Sequence, residues 1–186
     1  MASFLHDIET LRMQKAVAKE AERLLNGIMM VEADGSQSKY QFMLSTDNID
    51  VEEFTDKVNV YLNRLPVVKG GVTDADPYFP YCIVRLISGK TEEDDDYWHV
   101  PVLFYFGTFD GRTDTQGDEA IQVMITAIAN RFNARPAIER TRYRANQEMN
   151  WAIQEEDTYP YFFGSLMFDF LVPKVGREDI YTDGFA

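Results

Sequence analysis

Side chains able to act as nucleophiles, acid–base groups or metal ligands are few in this sequence and widely separated. The two histidines, His6 and His99, have no second ligand at the spacing of a zinc-binding helix. The one cysteine, Cys82, lies between Tyr81 and Ile83 in an apolar run, which predicts a buried thiol. The sequence also lacks a nucleophile elbow and a phosphate-binding glycine loop. We therefore predict no catalytic residue, no resident metal and no cofactor.

The strongest local concentration of charge is an acidic run between two apolar segments. It consists of Glu92, Glu93, Asp94, Asp95 and Asp96. Calcium and magnesium sites usually draw carboxylates from separated positions, so a contiguous run favours the tip of a hairpin over a metal site. Such a tip is either a solvated turn or a surface that pairs with a basic partner. We keep it as a candidate partner interface.

A second candidate interface is basic and aromatic. Three arginines alternate ahead of a tryptophan: Arg140, Arg142, Arg144 and Trp151. Residues 137–157 suit either a helix or a hairpin, and we favour a hairpin. One place for its turn is Asn146–Gln147. That hairpin would place the arginine stems beside Trp151 as a cation–π surface, which predicts a contact between subunits. The alternative is an exposed outer strand with solvated arginines.

Length and charge limit the class of protein. A length of 186 residues suits one domain over 1–186, and the formal net charge is -13. This charge argues against a surface that binds nucleic acid, because such binding requires Lys and Arg to neutralise phosphates. No apolar run reaches the ~20 residues that cross a bilayer, and the N-terminus does not resemble a secretory signal. We therefore expect a protein that folds in a cytoplasm and has no membrane partner.

Hydrophobic periodicity predicts an α/β (α+β) fold with a mainly antiparallel central sheet packed by amphipathic helices. The predicted helices lie at 1–32, 51–65 and 118–132, and the predicted strands at 39–44, 81–87, 100–106 and 161–172. The strands at 81–87 and 100–106 are apolar on both faces, so we expect them to pair and to be covered on both sides. Residues 88–99 form an acidic hairpin loop between them, and 174–186 form a C-terminal arm.

Residues Met149 to Gly164, with the sequence MNWAIQEEDTYPYFFG, resemble the closing strands of the tail terminator proteins of tailed phages. The paired apolar strands, the segment Phe106–Asp110 and the helix over 118–132 are similar to the same pattern. The resemblance covers about residues 80–173. It consists of strands, a helix and an aromatic-proline corner, without a catalytic signature.

The resemblance implies a structural virion protein and no enzymatic reaction. Such proteins form a ring, usually a hexamer, that ends polymerisation of the tail tube at its head-proximal end. The implied partners are other copies of the chain, the tail tube protein, a sheath protein where one exists, and neck, head-completion or connector proteins. Genome DNA would pass through the ring without specific binding, past a wall whose acidic charge repels phosphates. The implied location is the tail or neck of the virion, after assembly in the host bacterial cytoplasm.

Two other functions remain open from the sequence. One is a different neck, head-completion or adaptor protein of the same kind of particle. The other is a small metal-dependent hydrolase that uses the acidic loops.

Overall fold

The computed structural model describes residues 8–45, 51–66, 78–91, 95–112 and 117–174. Two helices and eleven strands occur within these residues. In chain order they are α1 (Glu9–Leu25), β1 (Met29–Val31), β2 (Gln37–Lys39), β3 (Phe42–Met43), β4 (Phe54–Thr55), β5 (Asn59–Leu62), β6 (Tyr81–Leu86), β7 (Lys90–Thr91), β8 (Tyr97–Phe109), α2 (Asp118–Ala134), β9 (Ala137–Ile138), β10 (Tyr143–Ile153) and β11 (Tyr161–Pro173).

The described strands form one large sheet and two small ribbons. The large sheet has the order β5–β6–β8–β11–β10–β9, and β7 adds beside β8. Strands β5 and β6 run parallel, whereas the other neighbours in this sheet run antiparallel. The small ribbons are β1–β2 and β3–β4. The predicted fold class, a mainly antiparallel sheet with helices packed on it, is confirmed.

Strands β8 and β11 form the centre of the sheet. They pair along their whole length, from Tyr161 opposite Phe109 to Pro173 opposite Tyr97. Alternate side chains point to one face and are buried there, as the two-residue period of a strand requires. These inward residues are Val100, Val102, Phe104, Phe106, Leu166, Phe168, Phe170 and Val172. The predicted pairing of 81–87 with 100–106 and the predicted strand over 161–172 are both confirmed.

Both helices contribute to the core on this inner face. Phe132 of α2 packs against three inward rings, with centroid distances of 6.4 Å to Phe104, 5.6 Å to Phe168 and 5.2 Å to Phe170. Helix α1 contributes a buried stripe at helical spacing, made of Met13, Val17, Ala21 and Leu25. The predicted helix over 118–132 is confirmed. Neither described helix is long and apolar enough to cross a lipid bilayer.

The outer face of the large sheet is covered at one end. A second cluster centred on Met43, Phe79, Tyr81 and Phe109 lies over the end where β8 finishes and β11 begins. Away from it, Tyr105 is 41% exposed and Leu103 and Met167 are partly exposed. The prediction that the central strands are covered on both sides is therefore wrong for this part of the outer face.

The predicted helix over 51–65 is wrong, because this segment contains β4 and β5. Val58 and Val60 are β-branched and Tyr61 is aromatic, and such side chains suit a strand. The backbone N–H of Val58 donates to Asn26 Oδ1 at 2.7 Å, and Val60 lies opposite Cys82. This segment thus becomes a strand because it pairs, in parallel, with the edge of β6 that would otherwise be open.

Two other boundaries differ from prediction. The helix predicted within 1–32 ends at Leu25, where the helix-stopping pair Asn26–Gly27 follows, and Met29–Val31 is a strand. The strand predicted over 39–44 is interrupted, with β2 ending at Lys39 and β3 beginning at Phe42. Residues 1–7, 92–94 and 175–186 lie outside the described part of the chain, and so does most of the predicted C-terminal arm.

We expect Gly164→Ala to destabilise the fold by about 1–3 kcal/mol, the usual cost of overpacking. A Cβ at this position would lie 2.4 Å from Cγ2 of Ile121 in α2 and 3.2 Å from the carbonyl oxygen of Ala152. Denaturant unfolding monitored by circular dichroism measures the change. Gly89→Ala is the matched control, since its nearest contact would be an ordinary 3.8 Å from Trp98. Equal stability of the two variants would contradict the tight packing of α2 on β11.

Candidate assembly surfaces

The segment with the alternating arginines contains a hairpin, as predicted, in which β9 pairs antiparallel with β10, but its turn lies elsewhere. The chain turns at Glu139, Arg140 and Thr141, which have positive φ angles of 49°, 54° and 76°. Strand β10 then continues through Asn146–Gln147 to Ile153 and pairs with β11, with an irregularity between Ala145 and Met149. The expected position of the turn, at Asn146–Gln147, is therefore wrong. Strand β10 runs through these residues because β11 provides a longer partner for it than β9 does.

Arg142 is engaged within the chain. Its guanidinium donates two hydrogen bonds to the Glu9 carboxylate, at 2.6 and 2.8 Å, and the Tyr143 hydroxyl donates a third at 2.7 Å. Glu9 is 7% exposed, and the hydrogen bond from Arg142 holds its pKa below the usual value although burial acts in the opposite direction. Burial, together with the bond to Glu9, raises the pKa of Tyr143 to about 12. These bonds join the start of α1 to the start of β10.

The other members of the predicted basic-aromatic surface lie apart. Arg140 is in the turn and Arg144 lies opposite Leu171, and both are exposed. Trp151 is 59% exposed and lies opposite Leu166, beside α2, where it lines a shallow groove with Ile125. The structure therefore does not bring the arginines and Trp151 into one cation–π stripe. Their role as interface residues stays a prediction.

The acidic tip is anchored to the sheet through His99. The two ring nitrogens of His99 face two carboxylates, with Nε2 at 2.6 Å from Asp95 Oδ2 and Nδ1 at 3.0 Å from Asp169 Oδ2. Asn146 Nδ2 also donates to Asp169, at 3.0 Å. The hydrogen bond to Asp169, followed by that to Asp95, raises the pKa of His99 above its ordinary value of 6.5. The bond from His99 correspondingly lowers the pKa of Asp95.

The far side of the acidic tip is tied to the end of β11. The backbone N–H of Lys174 donates to the Asp96 carbonyl at 2.9 Å, and its ammonium group donates to the Asp95 carbonyl. Asp95 thus uses its side chain and its backbone inside the chain. Asp96 is exposed, while Glu92, Glu93 and Asp94 fall outside the described residues. A partner contact at the acidic tip stays a prediction.

The described residues include one thiol and several carboxylates. They contain no group of three His, Cys, Asp or Glu side chains that could hold a metal ion. Cys82 is fully buried, and desolvation raises the pKa of its thiol, which keeps the thiol protonated and unreactive.

Sequence reasoning missed an exposed hairpin made by β1 and β2. Its strand β1 exposes three consecutive apolar side chains, with exposures of 49% for Met29, 37% for Met30 and 68% for Val31. The turn uses Gly35 in the left-handed region, at φ 82°. The pair Asp34–Gly35 is a hairpin signal in the sequence, but the flanking strands have three residues each, too few to show a period.

Comparison of the chain with protein-family models and with curated protein sequences gives no match. The functional conclusion therefore depends on the residues themselves and on the surfaces that the fold makes from them.

We expect NMR titration of the His99 ring to give a midpoint above 6.5, because two carboxylates favour the charged imidazole. The associated stability is fully present below 6.5 and is lost as pH rises through the higher native pKa. Asp169→Asn should move the midpoint down, whereas Asp96→Asn, at a side chain that does not contact the ring, should leave it nearly unchanged. The His6→Gln variant retains only the ring signal of His99 and so assigns it. A native midpoint at or below 6.5 would argue against the contacts of His99 with Asp95 and Asp169.

We expect Arg142→Ser to lower the thermal unfolding midpoint, because it leaves the Glu9 carboxylate buried without its main donor. Arg140→Ser removes a charge of the same sign from the neighbouring turn, where no carboxylate of the described residues pairs with it, and should change the midpoint little. Differential scanning calorimetry of both variants makes the comparison. Equal midpoints would show that Arg142 contributes no more to stability than a surface arginine does.

Proposed function

We propose that this chain is a structural assembly protein that forms the ring at the head-proximal end of a phage tail tube. In this role it ends tube polymerisation and joins the tail to the neck, without catalysing a reaction. Duplex DNA passes through the ring without specific binding. Tube protein and neck proteins are its partners on the two faces of the ring.

The observation that carries the proposal is the arrangement of the segment resembling tail terminators. Strands β8, β11 and β10 lie side by side, and α2 packs across their inner face. The four elements come from about residues 97–173, which lie within the stretch covered by the resemblance. The pattern of paired strands, helix and closing strands in the sequence therefore corresponds to one continuous structural unit.

The aromatic-proline corner belongs to the same unit. The Tyr159 hydroxyl donates to the Gly111 carbonyl at 2.6 Å, and the backbone N–H of Asp110 donates to the Pro160 carbonyl at 2.9 Å. The Phe109 and Tyr161 rings meet at 5.6 Å. These contacts fix the loop that leaves β8 against the start of β11, so the corner orients this end of the sheet.

The charge supports passage of DNA without capture. A chain with a formal net charge of -13 repels phosphates unless its cations are gathered where the DNA runs. In a ring, the acidic side chains of every copy act on the same channel. The proposal therefore predicts a channel wall that is not basic.

Deleting the gene from the genome that encodes it tests the function. A missing terminator leaves tube polymerisation unchecked, so we expect overlong tubes of variable length that are not joined to heads, seen by negative-stain electron microscopy. Supplying the gene in trans should restore tails of uniform length.

The other outcomes separate the alternatives. Tails of normal length that fail to join heads would assign the chain to head completion or to an adaptor and overturn the proposal. Normal particles would also overturn it.

A further inference from the structure

The β1–β2 hairpin extends from the end of α1 without joining the large sheet. Strands β1 and β2 pair with each other and with no other described strand. Met29 and Val31 lie on one side of β1, and both are about half exposed or more. Glu32 and Asp34 follow at the turn, where they accept hydrogen bonds from Ser38 and Ser36 and have no cation partner among the described residues. The hairpin is thus apolar along one strand and acidic at its tip.

A groove of opposite charge lies along the first half of α1. It is lined by Ile8, Leu11, Arg12, Lys15, Ala16, Lys19 and Glu139. Ile8 is 66% exposed and Leu11 is 38% exposed, so the groove has apolar side chains open to solvent. Glu139 pairs with Arg12 at 3.3 Å, while Lys15 and Lys19 have no carboxylate partner within the described part of the chain. The groove therefore combines apolar surface with two uncompensated ammonium groups.

The hairpin and the groove of one copy do not meet in the structure. Helix α1 has 17 residues and is therefore about 25 Å long. The groove lies at its N-terminal half, beside the turn that contains Glu139, whereas the hairpin leaves its C-terminal end beside Gln122 and Val123 of α2. A hairpin that fills such a groove must come from another copy. Contacts of this kind join two different surfaces and close into a ring when the rotation between copies allows it.

We propose that the β1–β2 hairpin of one copy docks in the α1 groove of the next copy. Met29 and Val31 pack against Ile8 and Leu11. Glu32 and Asp34, at the turn of the hairpin, pair with Lys15 and Lys19. The inference deepens the ring function proposed above and rests on it for ring closure. The occupant is a second copy, because the same chain carries both complementary surfaces.

Cross-linking of two cysteine variants tests the contact directly. One preparation carries Val31→Cys and the other Ala16→Cys, and a short bismaleimide is added to each alone and to their mixture. We expect a covalent dimer between Val31→Cys and Ala16→Cys in the mixture. Gln147→Cys, at an exposed position on β10, replaces Ala16→Cys in the matched control and should give background yield. The native Cys82 is fully buried and does not compete.

Charge reversal then tests the specificity. Lys15→Glu with Lys19→Glu on the groove chain should lower the cross-link yield about tenfold, since two weak surface pairs become repulsions. Adding Glu32→Lys and Asp34→Lys on the hairpin chain should restore the yield. High salt should weaken the native contact.

The outcomes separate the contact from the function. A mixture that cross-links no better than the Gln147→Cys control, or a charge reversal without effect, overturns the docking. If gene deletion still gives overlong tubes in that case, the terminator function stands with a different subunit contact. If the docking holds but deletion leaves normal particles, the chain self-associates by this contact and the terminator function is wrong.

Discussion

The structure depends on one packing interaction, the burial of Phe132 against the inner face of β8 and β11. Three phenylalanine rings from these strands surround it within 6.4 Å. Their burial fixes α2 across the sheet, and the missing side chain at Gly164 lets Ile121 approach closely. Because α2 takes this place, α1 covers the rest of the inner face and the outer face is left to a smaller aromatic cluster. The surfaces open to partners follow from this division of the two faces.

Charge is distributed unevenly over this framework. The chain is acidic overall, yet α1 and the turn before β10 expose cations that have no carboxylate partner among the described residues, including Lys15, Lys19 and Arg140. Some charged groups pair within the chain, as in the Glu9–Arg142 and His99–Asp169 contacts. The groove along α1 keeps Lys15 and Lys19, whereas the β1–β2 hairpin carries Glu32 and Asp34 at its turn. Such polarity favours contacts between different surfaces over contacts between identical ones, because like charges face each other in the latter.

The sequence predicts the parts of the fold whose pattern is long and local. Strand β11 has apolar side chains at a two-residue period and α2 has them at a helical period, so apolar spacing finds both elements. Strand β8 is found because it contains a continuous apolar run. Residues 51–65 satisfy a helical spacing and an alternating one together, and the open edge of β6 decides between them. Arg142 is engaged within the chain because it bonds to Glu9, which lies 133 positions away. No local sequence pattern encodes this pairing. The surface sites are harder still, since their exposure is a property of the packed chain.

The bond between Glu9 and Arg142 also bears on how the chain reaches its native state. Contacts between residues so distant in sequence form slowly, because the intervening chain loses loop entropy before the contact can stabilise it. During synthesis the apolar stripe of α1 emerges before the strands that it packs against, and its binding site is complete only after the chain has extended beyond Tyr143. Helix α1, which precedes the other described elements in the chain, is therefore among the last of them to dock, and its apolar stripe stays exposed to chaperones and other nascent chains meanwhile.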